Sequence, residues 1–315
     1  MNSTKSILNL DWCFKQYPPE FSTTLTATYI TTIIINIVTS PVAVVGNVLI
    51  LVLIYKYHTL RKPCNILIAS LAFSDTLVGL IVQPLLVARR ILDFGRKQYC
   101  SLRFMYVWGS YVLFFLTLSN VALVSLDRYM MIAKPFAYNN IASTKHYLVF
   151  LSVMWISMNI FINLYCLGIV KTETYMLLET ALMFVPLIVI IGCSVALYSI
   201  AVKQRNMIIV LHHTETSNRS SVSKKANSIL ILVFVLLVCY LPQIVLLTYR
   251  GVFGASIANY TIPDTWFDTL TFINSSINPF VFCYRIKEFK KALMKLLGRR
   301  DLAREAISVQ HETHL

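Results

Sequence analysis

The sequence predicts an all-α membrane protein, a seven-transmembrane helix bundle followed by a short amphipathic eighth helix. Three observations carry that prediction. Of the 315 residues, 57% are hydrophobic and only 13% are charged, about half the charge of an ordinary soluble domain, and the mean hydropathy is +0.67. Apolar runs recur along the chain with no Pro/Gly/Ser-rich linker between them, so it reads as one membrane domain and not as two soluble ones or a soluble enzyme. The basic residues, finally, are sorted into alternate loops.

A bilayer core needs about 20 mostly apolar residues per helix. Phe21 to Tyr55 is free of charge, Pro63 to Ala88 contains only Asp75, and Phe104 to Leu126 is clean. Tyr147 to Val170, Thr180 to Val202 and Ala226 to Tyr249 follow, and Thr265 to Tyr284 holds only Asp268. Backbone groups in lipid must be satisfied within the segment, and no alternating ten-residue pattern points to a barrel, so the seven are helices. Beyond Tyr284, helical spacing puts Ile286, Phe289, Leu293, Leu296 and Leu297 on one face with lysines opposite. This is an interfacial helix suited to anionic inner-leaflet lipids. The expected organisation is an extracellular N-terminus (1–26), the seven-helix membrane bundle (27–284), the amphipathic helix (285–297) and a cytoplasmic tail (298–315).

Of the 28 Lys and Arg, 19 fall in Lys56–Lys62, Arg128–Lys145, Lys203–Lys225 and the stretch from Arg285 onward. The positive-inside rule makes these segments and the C-terminus cytoplasmic. The net charge of +14 is thus topological, and nucleic acid is not the expected partner. The first 26 residues lack a cleavable leader pattern, so the first span is expected to act as a signal anchor. The sequons at Asn2 and Asn259 fall outside and are expected to be glycosylated; Asn218 falls inside and Asn274 within a span. Cys64, Cys193, Cys239 and Cys283 read as small apolar packers. Cys13, Cys100 and Cys166 face the oxidising side, which leaves room for one disulfide with one cysteine over; Cys100–Cys166 is the pairing we expect, with Cys13 the other candidate partner.

Charges inside a membrane cost at least about 2.5–3.5 kcal/mol on insertion scales. Asp75 lies mid-span, and Asn47, Thr117, Asn274, Ser275 and Asn278 can surround it with oxygens and amides. Such a nest either holds Na⁺ against an ionised Asp75 or keeps a protonated Asp75 hydrogen-bonded. At the inner end of the third span, Asp127 stands beside Arg128 and can hold it inward; simple snorkelling of Arg128 is the alternative.

The residues also carry a resemblance. Gly46-Asn47, Leu71-Ala72-x-x-Asp75, Asp127-Arg128-Tyr129, Trp155, Pro186, Cys239-x-x-Pro242 and Asn278-Pro279 occur in order, one set on each of the seven spans. Together they resemble the rhodopsin-like (class A) G-protein-coupled receptors over about residues 29 to 297. Asn278 to Phe289 and Asp127 to Asn139 most resemble the adenosine/melanocortin-like branch. The resemblance implies a receptor whose outer half binds an extracellular ligand, small molecule or peptide, and whose inner half opens to a heterotrimeric G protein, with arrestin as a further partner. Asp127, Arg128, Tyr129, Tyr240, Pro242, Asn278, Pro279 and Phe282 would form the switch. Prolines 84, 186, 242 and 279 would supply bends about which the sixth and seventh spans pivot.

Several positions depart from the family pattern. The Trp of the sixth span is Tyr240, and the Tyr three residues after Pro279 is Phe282. Tyr198 stands one turn further from Pro186 than usual, and no cysteine follows the amphipathic helix to take a palmitoyl anchor. Val222 stands where many members carry an acid that locks the third-span Arg, so elevated basal signalling is expected. A reporter assay with no ligand-free activity above mock at matched surface expression would reject that. Cys100 lies about a turn earlier than the usual cysteine, and Lys171 to Tyr175 contains none.

For the ligand, Ser110, Tyr111, Phe114, Gln243, Leu247, Asp268 and Phe272 point to the outer cavity or, equally, to the core. Ser110 replaces the amine-gripping Asp of aminergic receptors, no Lys on the seventh span can bind retinal, and Leu247 replaces the adenine-reading Asn of adenosine receptors. Asp268 is the best candidate for pairing a cationic ligand; a salt bridge to Arg89, Arg90 or Arg103 is the competing role. Arg89, Arg90, Arg96 and Lys97 would attract an acidic ligand or simply snorkel. No internal repeat marks a transporter, and the six histidines lie in inner loops or tail, so no enzymatic acid–base or metal site and no cofactor is expected beyond Na⁺ as an allosteric ion. A non-signalling scavenger or scaffold is the alternative function.

Overall fold

The computed structural model describes residues 22–97, 99–141, 143–166, 169–170, 172–210, 216–253 and 261–298. Asn2, Asn259, Cys13 and the side chains of Cys166, Val222, Lys224 and Lys225 lie outside the described set. Seven long helices follow one another: α1 (Thr23–Lys56), α2 (Pro63–Phe94), α3 (Cys100–Ala133), α4 (Thr144–Cys166), α5 (Thr172–Val210), α6 (Thr216–Phe253) and α7 (Thr261–Arg285). An eighth, α8 (Lys287–Leu296), follows after a break at Ile286. A two-turn helix, Pro135–Ile141, occupies the loop between α3 and α4. Each apolar stretch of the sequence lies on its own helix, although α4 stops at Cys166, short of the expected Val170.

The helix starts have local causes. Ser22 caps α1 by accepting the Leu25 amide at 3.1 Å, and Pro63 opens α2 where its missing N–H costs nothing. Among the described residues, five helices are long and apolar enough to cross a bilayer, and Phe234–Arg250 of α6 is a shorter apolar stretch. The seventh span is different: Asn274, Ser275, Ser276 and Asn278 give α7 a polar face, and all four are buried against the other helices. α7 therefore crosses the membrane by hiding that face inside the bundle.

α1 packs on α2 and α7, α7 on α6, α6 on α5 and α5 on α3; α4 lies outside, against α3 and α2. Tight approaches explain two glycines. A Cβ on Gly46 would meet the Pro279 ring at 2.8 Å, and one on Gly79 would meet the Ser40 carbonyl at 2.9 Å. Pro279 deprives the Ser275 carbonyl of its helical donor, and Asn47 Nδ2 of α1 supplies a replacement at 2.8 Å. In α2 a π-helical turn at Val78–Val82 precedes Pro84, and Ser40 Oγ donates to the Gly79 carbonyl at 2.7 Å.

Two apolar clusters fill the bundle. One joins Leu53, Leu60, Leu71, Leu118, Leu236, Tyr240, Phe282 and Phe289; the other joins Val82, Tyr106, Leu116, Met154, Tyr175 and Phe272. α8 is tied to the first through Phe289, which is fully buried with its ring 6.3 Å from that of Phe282. Burying such a side chain contributes about 1.5–3 kcal/mol. Ile286, Leu293 and Leu296 lie half-buried on the same side. Leu297, expected on that face, is exposed, because α8 ends at Leu296 and the backbone turns away. Lys62 meets Glu288 at 2.7 Å, an exposed pair worth about 0–1 kcal/mol.

Candidate functional site: outer carboxylates and an inner switch

Asp75 is fully buried at the middle of the bundle. Its two oxygens accept from Ser275 Oγ at 2.8 Å and Asn278 Nδ2 at 2.6 Å, so the carboxyl group of α2 holds α7 just above the Pro279 bend. The other expected neighbours act differently. Asn47 serves the Ser275 carbonyl, while Thr117 stands close to both Asp75 and Tyr240 and Asn274 close to Tyr240, though Thr117 Oγ1 and both polar atoms of Asn274 complete no well-formed hydrogen bond among the described residues. Asn47 Oδ1 is likewise unpartnered. Such oxygens beside a carboxylate are the donor set a hard cation takes. Directly above, Tyr240 of α6 is buried against Phe114 of α3, ring centroids 4.8 Å apart, and Thr271 of α7 donates to the Cys239 carbonyl at 3.2 Å beside Pro242.

At the inner end, Asp127 Oδ2 lies 3.8 Å from Arg128 Nε. Asp127 Oδ1 accepts from two phenols, Tyr138 of the loop helix at 3.0 Å and Tyr147 of α4 at 2.5 Å. The acid is thus buried and fixed from two sides, while its Oδ2 faces Arg128 without a hydrogen bond among the described residues. Burial and the neighbouring carboxylate push the Tyr138 phenol up to about 12. Tyr129 packs half-buried against the inner apolar cluster. The phenols were not among the residues expected from sequence, since a Tyr near a helix end ordinarily reads as an interfacial anchor.

In the outer half, Asp268 accepts from Tyr106 Oη at 2.7 Å and from Gln243 Nε2 at 3.3 Å, joining α7 to α3 and α6. The alternative expectation, a salt bridge to Arg89, Arg90 or Arg103, is not met at contact distance. Arg90 instead donates to Tyr29 Oη at 2.9 Å and lies over that ring, and Arg89 lies over the Tyr106 ring at 5.0 Å. Both guanidinium groups are held against aromatic partners and act on Asp268 through space, not by a direct bond. Ser110 turns its hydroxyl to the Val107 carbonyl of its own helix at 3.1 Å. Phe114, Leu247 and Phe272 are buried, and Phe272 belongs to the outer apolar cluster. Tyr111 meets Tyr175 edge-on at 6.2 Å.

Two polar groups escaped the sequence reading. Gln83 of α2 donates to Asn36 Oδ1 at 3.1 Å and Thr39 Oγ1 at 2.8 Å, while Asn36 donates to Thr269 of α7 at 3.1 Å. Neutral amides within an apolar run raise no flag by charge counting. Glu179 of α5 is buried, and its Oε1 has no hydrogen-bond partner among the described residues. Starting the fifth span at Thr180 left it one residue outside. Cys100 is disulfide-bonded; the Cys13 and Cys166 side chains are outside the described set.

The sequence profile of the 7 transmembrane receptor (rhodopsin family) matches residues 46–282. The high-affinity lysophosphatidic acid receptor of Xenopus laevis is 25% identical over 84% of this chain and 82% of its own length. Trace amine-associated receptor 5 of Rattus norvegicus is 24% identical over 83% of both chains. The histamine H2 receptor of Cavia porcellus is 27% identical over 94% of this chain and 86% of its own. The chain belongs to the rhodopsin family of seven-transmembrane receptors: it is a multi-pass plasma-membrane protein that couples an extracellular ligand to a heterotrimeric G protein. These relatives give no support to the adenosine/melanocortin-like branch and none to a scavenger or scaffold.

Proposed function

We propose that the receptor takes a small cationic ligand in its outer half, with the N-terminus outside and the C-terminus in the cytoplasm. The observation that carries this reading is the half-buried Asp268, held between α3 and α6 by Tyr106 and Gln243 and without an arginine at contact distance. A cation there would exchange those bonds for its own and change how α6 and α7 meet; a ligand shifts the states only through such differential contacts. Arg89 lies over Tyr106 and Arg90 against Tyr29, so neither closes the Asp268 carboxylate against a ligand by a direct salt bridge. The trace amine and histamine relatives fit this class by name, and the lysophosphatidic acid relative does not. Screening Asp268→Asn against a cationic ligand library tests it: potency falls for the active ligands, and unchanged potency for every agonist removes Asp268 from the site.

Opening at the inner end would release Arg128 from Asp127 toward the G protein, and the same opening serves arrestin. Between the two ends, Asp75, with Thr117, Asn274, Ser275, Asn278 and Asn47, would hold Na⁺ as an allosteric ion that ties α2 to α7. No catalytic group takes part. α8 would lie on inner-leaflet lipid through its apolar side, Cys100 would pair with Cys166, and Asn2 and Asn259 would carry glycans. In membranes, agonist affinity is expected to fall as Na⁺ replaces a large organic cation, and Asp75→Asn to abolish that dependence; an unchanged Na⁺ response in the variant contradicts the site.

A further inference from the structure

The outer half contains a second carboxylate that the reading above does not use. Glu179 projects from the first turns of α5 into the bundle and is only 3% exposed, yet Oε1 has no donor among the described residues. A carboxyl group buried without a donor is costly to ionise, and a cation brought beside it is what would stabilise the charged form. The cation whose field Glu179 feels is Arg250 of α6. Arg250 is itself committed, with Nη1 3.0 Å from Asp264 Oδ1. Asp268, by contrast, has a donor on each oxygen. Of the two acids, Glu179 is the one with an open acceptor.

Its surroundings define what would fill that place. One helical turn before Glu179, the Tyr175 ring stacks on Tyr165 at 4.0 Å and on Phe161 at 5.0 Å, and meets Tyr111 edge-on at 6.2 Å. Tyr111 stands on α3 within the field of Glu179. A carboxylate next to a wall of aromatic rings provides the two attractions that a protonated nitrogen uses, charge pairing and cation–π contact. An anion would be repelled by the carboxylate, and a neutral ligand would leave it unpaired.

We propose that Glu179 is the principal counter-ion of the ligand, a small amine whose protonated nitrogen sits between the Glu179 carboxylate and the rings of Tyr111 and Tyr175. The inference rests on the cationic-ligand reading and changes which acid grips the charge. It also accounts for Ser110: with the charge taken on α5, no acid is needed at that place on α3.

The test uses the full-length receptor in membranes, with 2-phenylethylamine, histamine and the diamine 1,5-diaminopentane as probes and 2-phenylethanol as the neutral control. Amine binding is read from thermal stabilisation of the receptor and from G-protein nucleotide exchange. The expected result is that an amine, and not the alcohol, stabilises the wild type, that Glu179→Gln weakens it by about 30-fold or more, and that Asp268→Asn weakens it less. Without amine, Glu179→Gln should melt no lower than the wild type, since no hydrogen bond is lost; a lower melting point would mark Glu179 as a structural partner of Arg250 and overturn the proposal. Retained amine affinity in Glu179→Gln with loss in Asp268→Asn would overturn it while leaving the cationic-ligand reading intact. Failure of every amine to bind a folded wild type would overturn both.

Discussion

Asp127 makes three contacts at once, and the two phenols among them are the ones sequence does not show. Among the described residues Arg128 pairs with Asp127, and Asp127 is itself positioned by Tyr138 and Tyr147. Removing a donor from a buried acceptor costs about 1–3 kcal/mol. Tyr147→Phe is therefore expected to destabilise the closed inner mouth by about that much and to raise ligand-free nucleotide exchange at matched surface expression; an unchanged basal rate would contradict the role. The pH dependence of the Tyr138 contact has a definite sign. Its phenol is raised above the usual value of about 10 to about 12, so the protonated donor is favoured in the fold. The contact is complete below about pH 10 and is lost as pH rises through the raised value. Ultraviolet titration of phenolate should show that Tyr138→Phe removes one late-titrating group, and removal of one titrating near 10 would count against the contact.

At the scale of the helices, close approach and exposed space separate glycines that look alike in sequence. Gly46 has Pro279 at 2.8 Å from where a Cβ would stand, while Gly192 has nothing within 4 Å. Gly46→Ala should lower thermal stability by about 1–3 kcal/mol through overpacking of α1 on α7. Gly192→Ala should be neutral or stabilising, by up to about 1 kcal/mol from helix propensity. Equal melting temperatures for the two variants would contradict the packing described. Phe289→Ala should detach α8 at a cost of about 3–5 kcal/mol, readable as faster proteolysis at the inner surface; unchanged protection would mean that α8 is held by lipid alone. The spans themselves were legible because lipid imposes a simple rule on charge. The polar face of α7 was legible as well, since Asp75 needs partners and Ser275 and Asn278 have the right chemistry. The π turn at Val78–Val82 was not, because nothing in Val-Gly-Leu-Ile-Val distinguishes it from α-helix; its stability depends on Ser40 of a neighbouring helix. Glu179 was missed for a similar reason: an acid at a span boundary reads equally well as facing the loop or the bundle, and its sequence neighbours do not decide between them.

Over the whole molecule, Asp268 in the outer half and Asp75 at mid-bundle are linked by contacts among α2, α3, α6 and α7, on the outer side of the Asp127–Arg128 pair. Asp268 reaches α6 through Gln243, Tyr240 of α6 packs on Phe114 of α3, Thr271 of α7 touches α6 beside Pro242, and Asp75 ties α7 to α2. Energetic coupling between two sites is reciprocal: if ligand binding favours the G-protein-bound state, the G protein must raise ligand affinity by the same factor, typically about 5- to 150-fold. The most direct measurement is amine affinity for the receptor reconstituted in vesicles, with and without nucleotide-free heterotrimer. Tighter amine binding in its presence, abolished by adding guanine nucleotide, is the predicted result. Equal affinity with and without a bound heterotrimer would contradict the coupling of the outer carboxylates to the inner switch.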